Sequence, residues 1–163
     1  MKRKIMKKMF LFIVSLVFAI SNITAATVNI SGSVTPGLTI SILAEPIAQN
    51  LDLTTSTTIK IATVTEISNI KLFKISILST LGGSFVGNVS GATQSYTLSY
   101  YETGTTTGIT ITPTSVYQDV LLATSRTHPA GDDKDLFISY TIVPDVLPAD
   151  TYEDTIVIRI EAQ

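Results

Sequence analysis

The chain contains no cysteine, and that absence removes several chemistries at once. Thiol catalysis, haem attachment through thioethers, cysteine zinc sites and disulfide frameworks are all excluded. Histidine occurs once, at His128, beside Pro129 in a polar stretch. A lone loop histidine there reads as a solvated residue rather than a general base. No Gly-x-Ser-x-Gly elbow is present, and Gly82-Gly83 is not followed by the Lys-Ser/Thr start of a phosphate-binding helix. These gaps predict a protein that is not an enzyme and carries no cofactor. Beyond Ala26 no amphipathic helical pattern exceeds two turns, which excludes helical architectures.

Basic residues are also scarce over most of the chain. Lys2, Arg3, Lys4, Lys7 and Lys8 stand at the start, leaving only 6 of the 11 after Ala25, whereas all 13 acids follow it. The portion after Ala25 is therefore at −7 with histidine neutral. Such a balance argues against nucleic acid or an anionic membrane as partner. The early lysines precede an apolar run, Met9 to Ile20, and then the small and polar Ser21-Asn22-Ile23-Thr24-Ala25-Ala26. That order predicts a secretory signal peptide over residues 1–25, with cleavage after Ala25 or Ala26. Its 12 apolar-run residues are too few to span a bilayer comfortably, so no membrane insertion of the mature chain is expected. An uncleaved anchor is the alternative. The 138 residues that remain bury enough surface for one domain without disulfides.

What is present is alternation. Val28, Ile30, Gly32 and Val34 alternate with Asn29, Ser31 and Ser33, Pro36-Gly37 breaks the pattern, and Leu38, Ile40 and Ile42 resume it, which predicts two extended segments joined by a turn. Ile59, Ile61 and Thr63 share one parity in a strand that closes near Glu66, after a threonine-rich loop from Leu51. Asn69 to Ser79, with Phe73, Ile75 and Ile77 on one parity, predicts a central strand. The glycine-rich Leu81 to Gly91 offers a short edge strand around Phe85, Val86 and Val89. Tyr96, Leu98 and Tyr100 alternate next, with Tyr101 on the opposite face, which places Tyr96 and Tyr100 in the core rather than on a ligand-binding surface. Ile109 and Ile111 form a brief strand before Pro113, and Val116 to Ala123 is compatible with strand or helical turn. Thr124 to Asp135 reads as a loop, where Asp132, Asp133 and Asp135 could ligate calcium. They lack the glycine and distal glutamate of an EF-hand, and an acidic solvated turn is the plainer reading. Leu136, Ile138, Tyr140 and Ile142 make another alternating strand, ended by Pro144-Asp145. The last stretch places Tyr152, Ile156, Ile158 and Ile160 on one parity against Thr155, Val157, Arg159 and Glu161.

Eight or nine short strands separated by Gly, Pro, Asp and Thr predict an all-β chain, an antiparallel β-sandwich of immunoglobulin-like size over residues 37–163. Its first and last strands are edges that must be covered or will recruit partners.

The Val28-x-Ile30-x-Gly32-x-Val34 stretch, following directly on a signal peptide, resembles the donor strand of chaperone-usher pilus subunits. The ending from Leu147-Pro148-Ala149-Asp150-Thr151-Tyr152 through Arg159-Ile160-x-Ala162-Gln163 resembles the last strand of those subunits. The likeness is to the cysteine-less, capsular-antigen type and to spore-coat-U-like secreted proteins. It covers about a fifth of the mature chain, and Asp150 stands where the family usually has glycine. The resemblance implies a pilin-type, incomplete sandwich with a donor-strand-like extension at 26–36. Its groove is filled first by a periplasmic chaperone at an outer-membrane usher, and then by Val28, Ile30, Gly32 and Val34 of a neighbouring subunit. Tyr152, Ile156, Ile158 and Ile160 would form the accepting and chaperone-pairing strand. Passage through the periplasm to a surface fibre is the expected route. The alternatives are a self-contained secreted sandwich, monomeric and binding or coating, in which residues 27–34 pair within their own chain, and a calcium-dependent sugar binder working through the Asp132 loop.

Overall fold

The computed structural model describes residues 31–142 and 147–163. Val28, Ile30, the predicted leader and the Pro144-Asp145 break lie outside these residues. The chain divides into two compact units, residues 1–34 and Thr35–Gln163. Of the first, Ser31, Gly32, Ser33 and Val34 are described; they belong to no strand and are exposed, Val34 by 84%.

The second unit is an antiparallel β-sandwich, as the alternation predicts. Its strands are β1 (Leu38–Ala44), β2 (Thr57–Ser68), β3 (Phe73–Ser79), β4 (Ser84–Gly87), β5 (Thr93–Ser95), β6 (Thr97–Glu102), β7 (Gly108–Ile111), β8 (Gln118–Ala123), β9 (Asp132–Tyr140), β10 (Tyr152–Glu153) and β11 (Ile156–Ala162). A single 3-10 turn, Pro46–Gln49, follows β1. One sheet runs β1-β2-β9-β6-β7, a second runs β11-β3-β8, and a small third sheet runs β10-β4-β5. The order β1-β2-β9-β6 is the A-B-E-D order of an immunoglobulin sandwich, with β3 and β11 in the C and F places opposite.

The core forms where alternate residues of the two main sheets meet. Phe73, Ile75, Ile77, Val64 and Leu98 are at most 1% exposed, and Phe85 bridges Tyr96 and Tyr140 with ring centroids 4.8 and 5.9 Å apart. Each such side chain contributes about 1.5–3 kcal/mol by leaving water. Tyr96 and Tyr100 are core residues, while Tyr101 lies on the outer face beside Phe137.

Several expectations are corrected, and one ambiguity is settled in favour of strand. Ile59, Ile61 and Thr63 do not share the inner face throughout, because the register with β9 shifts between Lys60 and Ala62. The bulge buries both Ile61 and Ala62 and passes the inner face to Val64, Glu66 and Ser68. Next, β4 is the middle strand of its small sheet rather than an edge. Residues 118–123 of the ambiguous Val116 stretch settle as strand β8, paired with β3. Finally, the Asp132 stretch is the beginning of β9, not a loop; β9 ends at Tyr140, short of Ile142, and Pro36-Gly37 forms no turn.

One end of the core is polar. Glu66, 1% exposed, accepts the Tyr100 hydroxyl at 2.5 Å, while the buried Lys134 ammonium contacts both carboxylate oxygens of Glu102 at 2.5 and 2.6 Å. Burial pushes the Glu66 carboxyl above its usual range, against the lowering pull of the Tyr100 bond and the Lys134 charge.

Candidate functional site

Both β1 and β11 are sheet edges, paired on one side only, to β2 and to β3 respectively. They come close to one another along the same margin of the sandwich. The pairing register decides what each edge presents. Thr80 N donates to Thr155 O and Gln163 N to Leu72 O, so the odd-numbered residues of β11 carry the bonds to β3. Likewise Asn69 N donates to Gly37 O and Glu45 N to Ile61 O, so the odd-numbered residues of β1 carry the bonds to β2. In an antiparallel ladder the alternate residues aim their N–H and C=O groups the other way. The free edges are therefore formed by the amides of Leu38, Ile40 and Ile42 on one wall and of Ile156, Ile158 and Ile160 on the other.

The same six residues turn their side chains inward. Leu38, Ile40 and Ile42 stand opposite the buried Ser68, Glu66 and Val64, and Ile158 stands opposite the buried Ile77. Their burial is incomplete. Ile42 is 48% exposed although it faces the core, and Leu38, Ile40, Ile156 and Ile160 are half-buried, whereas Val64, Ile75 and Ile77 on the covered strands are at 0%. Among the described residues no strand pairs with either free edge. An extended segment with apolar residues at every second position would meet unpaired amides and uncovered side chains together.

The expected accepting row is only partly one element. Ile156, Ile158 and Ile160 lie on β11, but Tyr152 lies on β10, which pairs with β4 in a different sheet. The interruption is Asp154. Its carboxylate accepts from Ser79 Oγ at 2.5 Å, Tyr96 OH at 2.6 Å, Thr80 Oγ1 at 3.0 Å, Leu81 N at 3.1 Å and Thr155 N at 2.6 Å. Burial works against its charge, but these donors outweigh burial and hold its pKa below the usual value. The Asp154 carboxylate thus fixes where β11 starts. Tyr152 OH donates to Pro148 O, 2.9 Å away and four residues upstream, which is the tyrosine-corner contact found at the start of an immunoglobulin F strand.

Asp150 has a structural task as well. It accepts from Ser90 N and Ser90 Oγ, both at 2.7 Å, from Val89 N at 3.0 Å and from Thr151 N at 2.7 Å, closing the turn between β4 and β5. The Ser90 amide and hydroxyl lead in lowering its pKa to about 2. A Cβ on Gly87 would stand 2.6 Å from this carboxylate, so glycine is needed beneath it.

The acidic trio does not converge. Asp132 accepts His128 N, Asp133 accepts Thr65 Oγ1, and Asp135 pairs with Lys60 at 2.7 Å and accepts Gly104 N. Each carboxylate is committed to a different neighbour, and no cluster suited to a metal ion occurs among the described residues. Of the predicted donor residues, Gly32 has no atom within 4 Å of where a Cβ would stand and Val34 is exposed; Val28 and Ile30 are outside the described residues. Nor, among the described residues, is any helix long and apolar enough to cross a membrane.

Sequence reasoning missed Leu38, Ile40 and Ile42 as a groove wall, and it missed Asp154 as a strand boundary. The one available signal was the run of three polar residues, Glu153, Asp154 and Thr155, between Tyr152 and Ile156. No known family model matches the chain, and no curated protein is significantly similar to it.

Proposed function

We propose that this protein is a structural subunit of an extracellular fibre or capsule-like coat, assembled by insertion of one subunit's N-terminal strand between β1 and β11 of the next. The observation that carries the reading is the pair of unpaired edges whose inward isoleucines are incompletely buried. Insertion would complete both ladders at once and cover Ile42, Ile156 and Ile160. Val28, Ile30 and Val34 supply the alternating apolar residues, and Gly32 supplies a position without bulk. Because β1 and β11 lie close together, the edges must part to admit a strand, a step suited to a periplasmic chaperone that holds them open and an outer-membrane usher that brings subunits together. The leader places the protein on the export route, and the cell surface is its destination. Each copy offers a donor at one place and an acceptor at another, so the contact is heterologous and propagates.

The test compares residues 26–163 with the same protein lacking 26–35. The expected result is ladders or fibres from the longer form and an unstable, aggregating shorter form that a synthetic TVNISGSV peptide rescues. Stable monomers from both would overturn the reading and favour a self-contained secreted module.

A further inference from the structure

Thr58, Ser139 and Thr97 are register partners across β2, β9 and β6, and all three line a groove of about 720 Å³ to which β1 and β11 contribute no residue. Its lining is eight serines and threonines, Gln94, Tyr96 and Tyr140. Among the described residues no charged or aliphatic side chain takes part, although 13 acids follow Ala25. Thr58 Oγ1 and Ser139 Oγ lie 2.8 Å apart, so their mutual bond uses one hydroxyl hydrogen and leaves the other to donate. Gln94 Nε2 donates to Ser95 O at 2.8 Å and to Thr141 O at 3.2 Å, which fixes the amide and leaves Oε1 as an acceptor. An aromatic platform stands beside the groove. Phe137 follows Ser139 on the same face of β9, about 7 Å along the strand, between its register partners Lys60 and Ser99. Tyr101 packs against it with ring centroids 5.9 Å apart, and both rings are half-buried. Tyr101 OH and Ser99 Oγ each bond Thr110 Oγ1, at 3.0 and 2.7 Å, which carries the hydroxyl surface onto β7.

We propose that groove and platform together form a binding site for a neutral polysaccharide. Sugar hydroxyls both donate and accept, as these side chains do, and one face of a pyranose ring consists of C–H groups that pack on an aromatic ring. A charged ligand would find no opposite charge in the groove, and an apolar one would leave the lining hydroxyls without partners. Beside the platform, Lys60 and Asp135 neutralise one another at 2.7 Å. The spacing from groove to Phe137 asks for a chain of sugars rather than a single one. The site goes beyond the strand-insertion reading and does not depend on it, since neither β1 nor β11 lines it. It differs also from a calcium-dependent site, because Asp132, Asp133 and Asp135 line no part of the groove.

The test is biolayer interferometry of residues 26–163 on sensors carrying dextran, laminarin or galactomannan, with polygalacturonate as the acidic control and EDTA present throughout. The expected result is binding to at least one neutral polysaccharide and much weaker binding to polygalacturonate. Phe137→Ala should weaken that binding about tenfold, and Gln94→Ala, which removes a fixed acceptor, about threefold to tenfold. Thr112→Asp places a charge in the groove at an exposed position, should also weaken binding, and serves if Phe137→Ala does not fold. Val157→Asp, on the outer face of the other sheet, should bind as the parent does. Binding to none of the three neutral polysaccharides overturns the site, as does equal binding to polygalacturonate. Phe137→Ala and Thr112→Asp proteins that fold and bind as tightly as the parent overturn it too. Each of these outcomes leaves strand insertion standing, because that reading is judged by ladders and peptide rescue.

Discussion

At the scale of single residues, buried and turn carboxylates pull the protein's pH behaviour in opposite directions. Asp150 and Asp154 have folded-state pKa values below the usual carboxylate value, so the stability they contribute is present above about pH 4 and is lost as pH falls. For Asp150 the loss runs down to about pH 2. Asp150→Asn should therefore melt lower than the parent at pH 7, with the gap shrinking at pH 2.5, as read by thermal melts at the two values. Glu66 is raised, so its contribution is complete below its unfolded value and is lost as pH rises through the folded one. The groups facing it are Tyr100, Lys134, Glu102 and Asp132. Tyr100→Phe removes the hydroxyl donor to a carboxylate that is 1% exposed, and should cost about 1–3 kcal/mol in urea unfolding at pH 7. None of this was legible beforehand, since Glu66 sits in a run of alternating residues and nothing local to it announces that its side chain turns inward.

Among the elements, the strands that alternate without interruption were legible. The runs through Leu38, Phe73, Leu98 and Leu136 became β1, β3, β6 and β9, because a strand with one buried face must repeat every two residues. Where that period breaks, reading along the chain fails. The bulge at Ile61-Ala62 places two adjacent apolar residues inside, and a sequence cannot say which is the extra one. Thr93–Ser95 forms β5 with no apolar residue at all, held by pairing to β4. The run from Tyr152 to Ile160 keeps one parity across two sheets, so only the carboxylate of Asp154 reveals the division. Half of the groove was visible in Ile156, Ile158 and Ile160. The other half was hidden, because Leu38, Ile40 and Ile42 read as an ordinary first strand. A charge in the accepting row tests its role: Ile158→Asp should abolish capture of the TVNISGSV peptide, whereas Val157→Asp on the outer face should retain it, as read by fluorescence polarisation. Because Ile158 is only 9% exposed, its variant will also lose stability, so binding is compared only on protein that remains folded by circular dichroism.

For the whole molecule, the proposed assembly makes stability a property shared between copies. A subunit whose groove is filled gains the binding free energy of the strand, so peptide at a hundredfold excess over Kd should stabilise the 36–163 form by about 2.7 kcal/mol. Calorimetry at increasing peptide concentration checks this, and an unchanged Tm would remove the thermodynamic basis for a fibre. The three isoleucines of β11 carry a further consequence for the geometry of such a fibre. Ile156, Ile158 and Ile160 are chemically identical teeth at a spacing of two, so a visiting strand displaced by two residues meets the same wall again. Such a step would shift one copy against the next by about 7 Å. On the proposed reading Gly32 is the only gap in the incoming row, and it serves as the index mark. Filling it should blur the axial repeat of the polymer before it weakens the polymer itself.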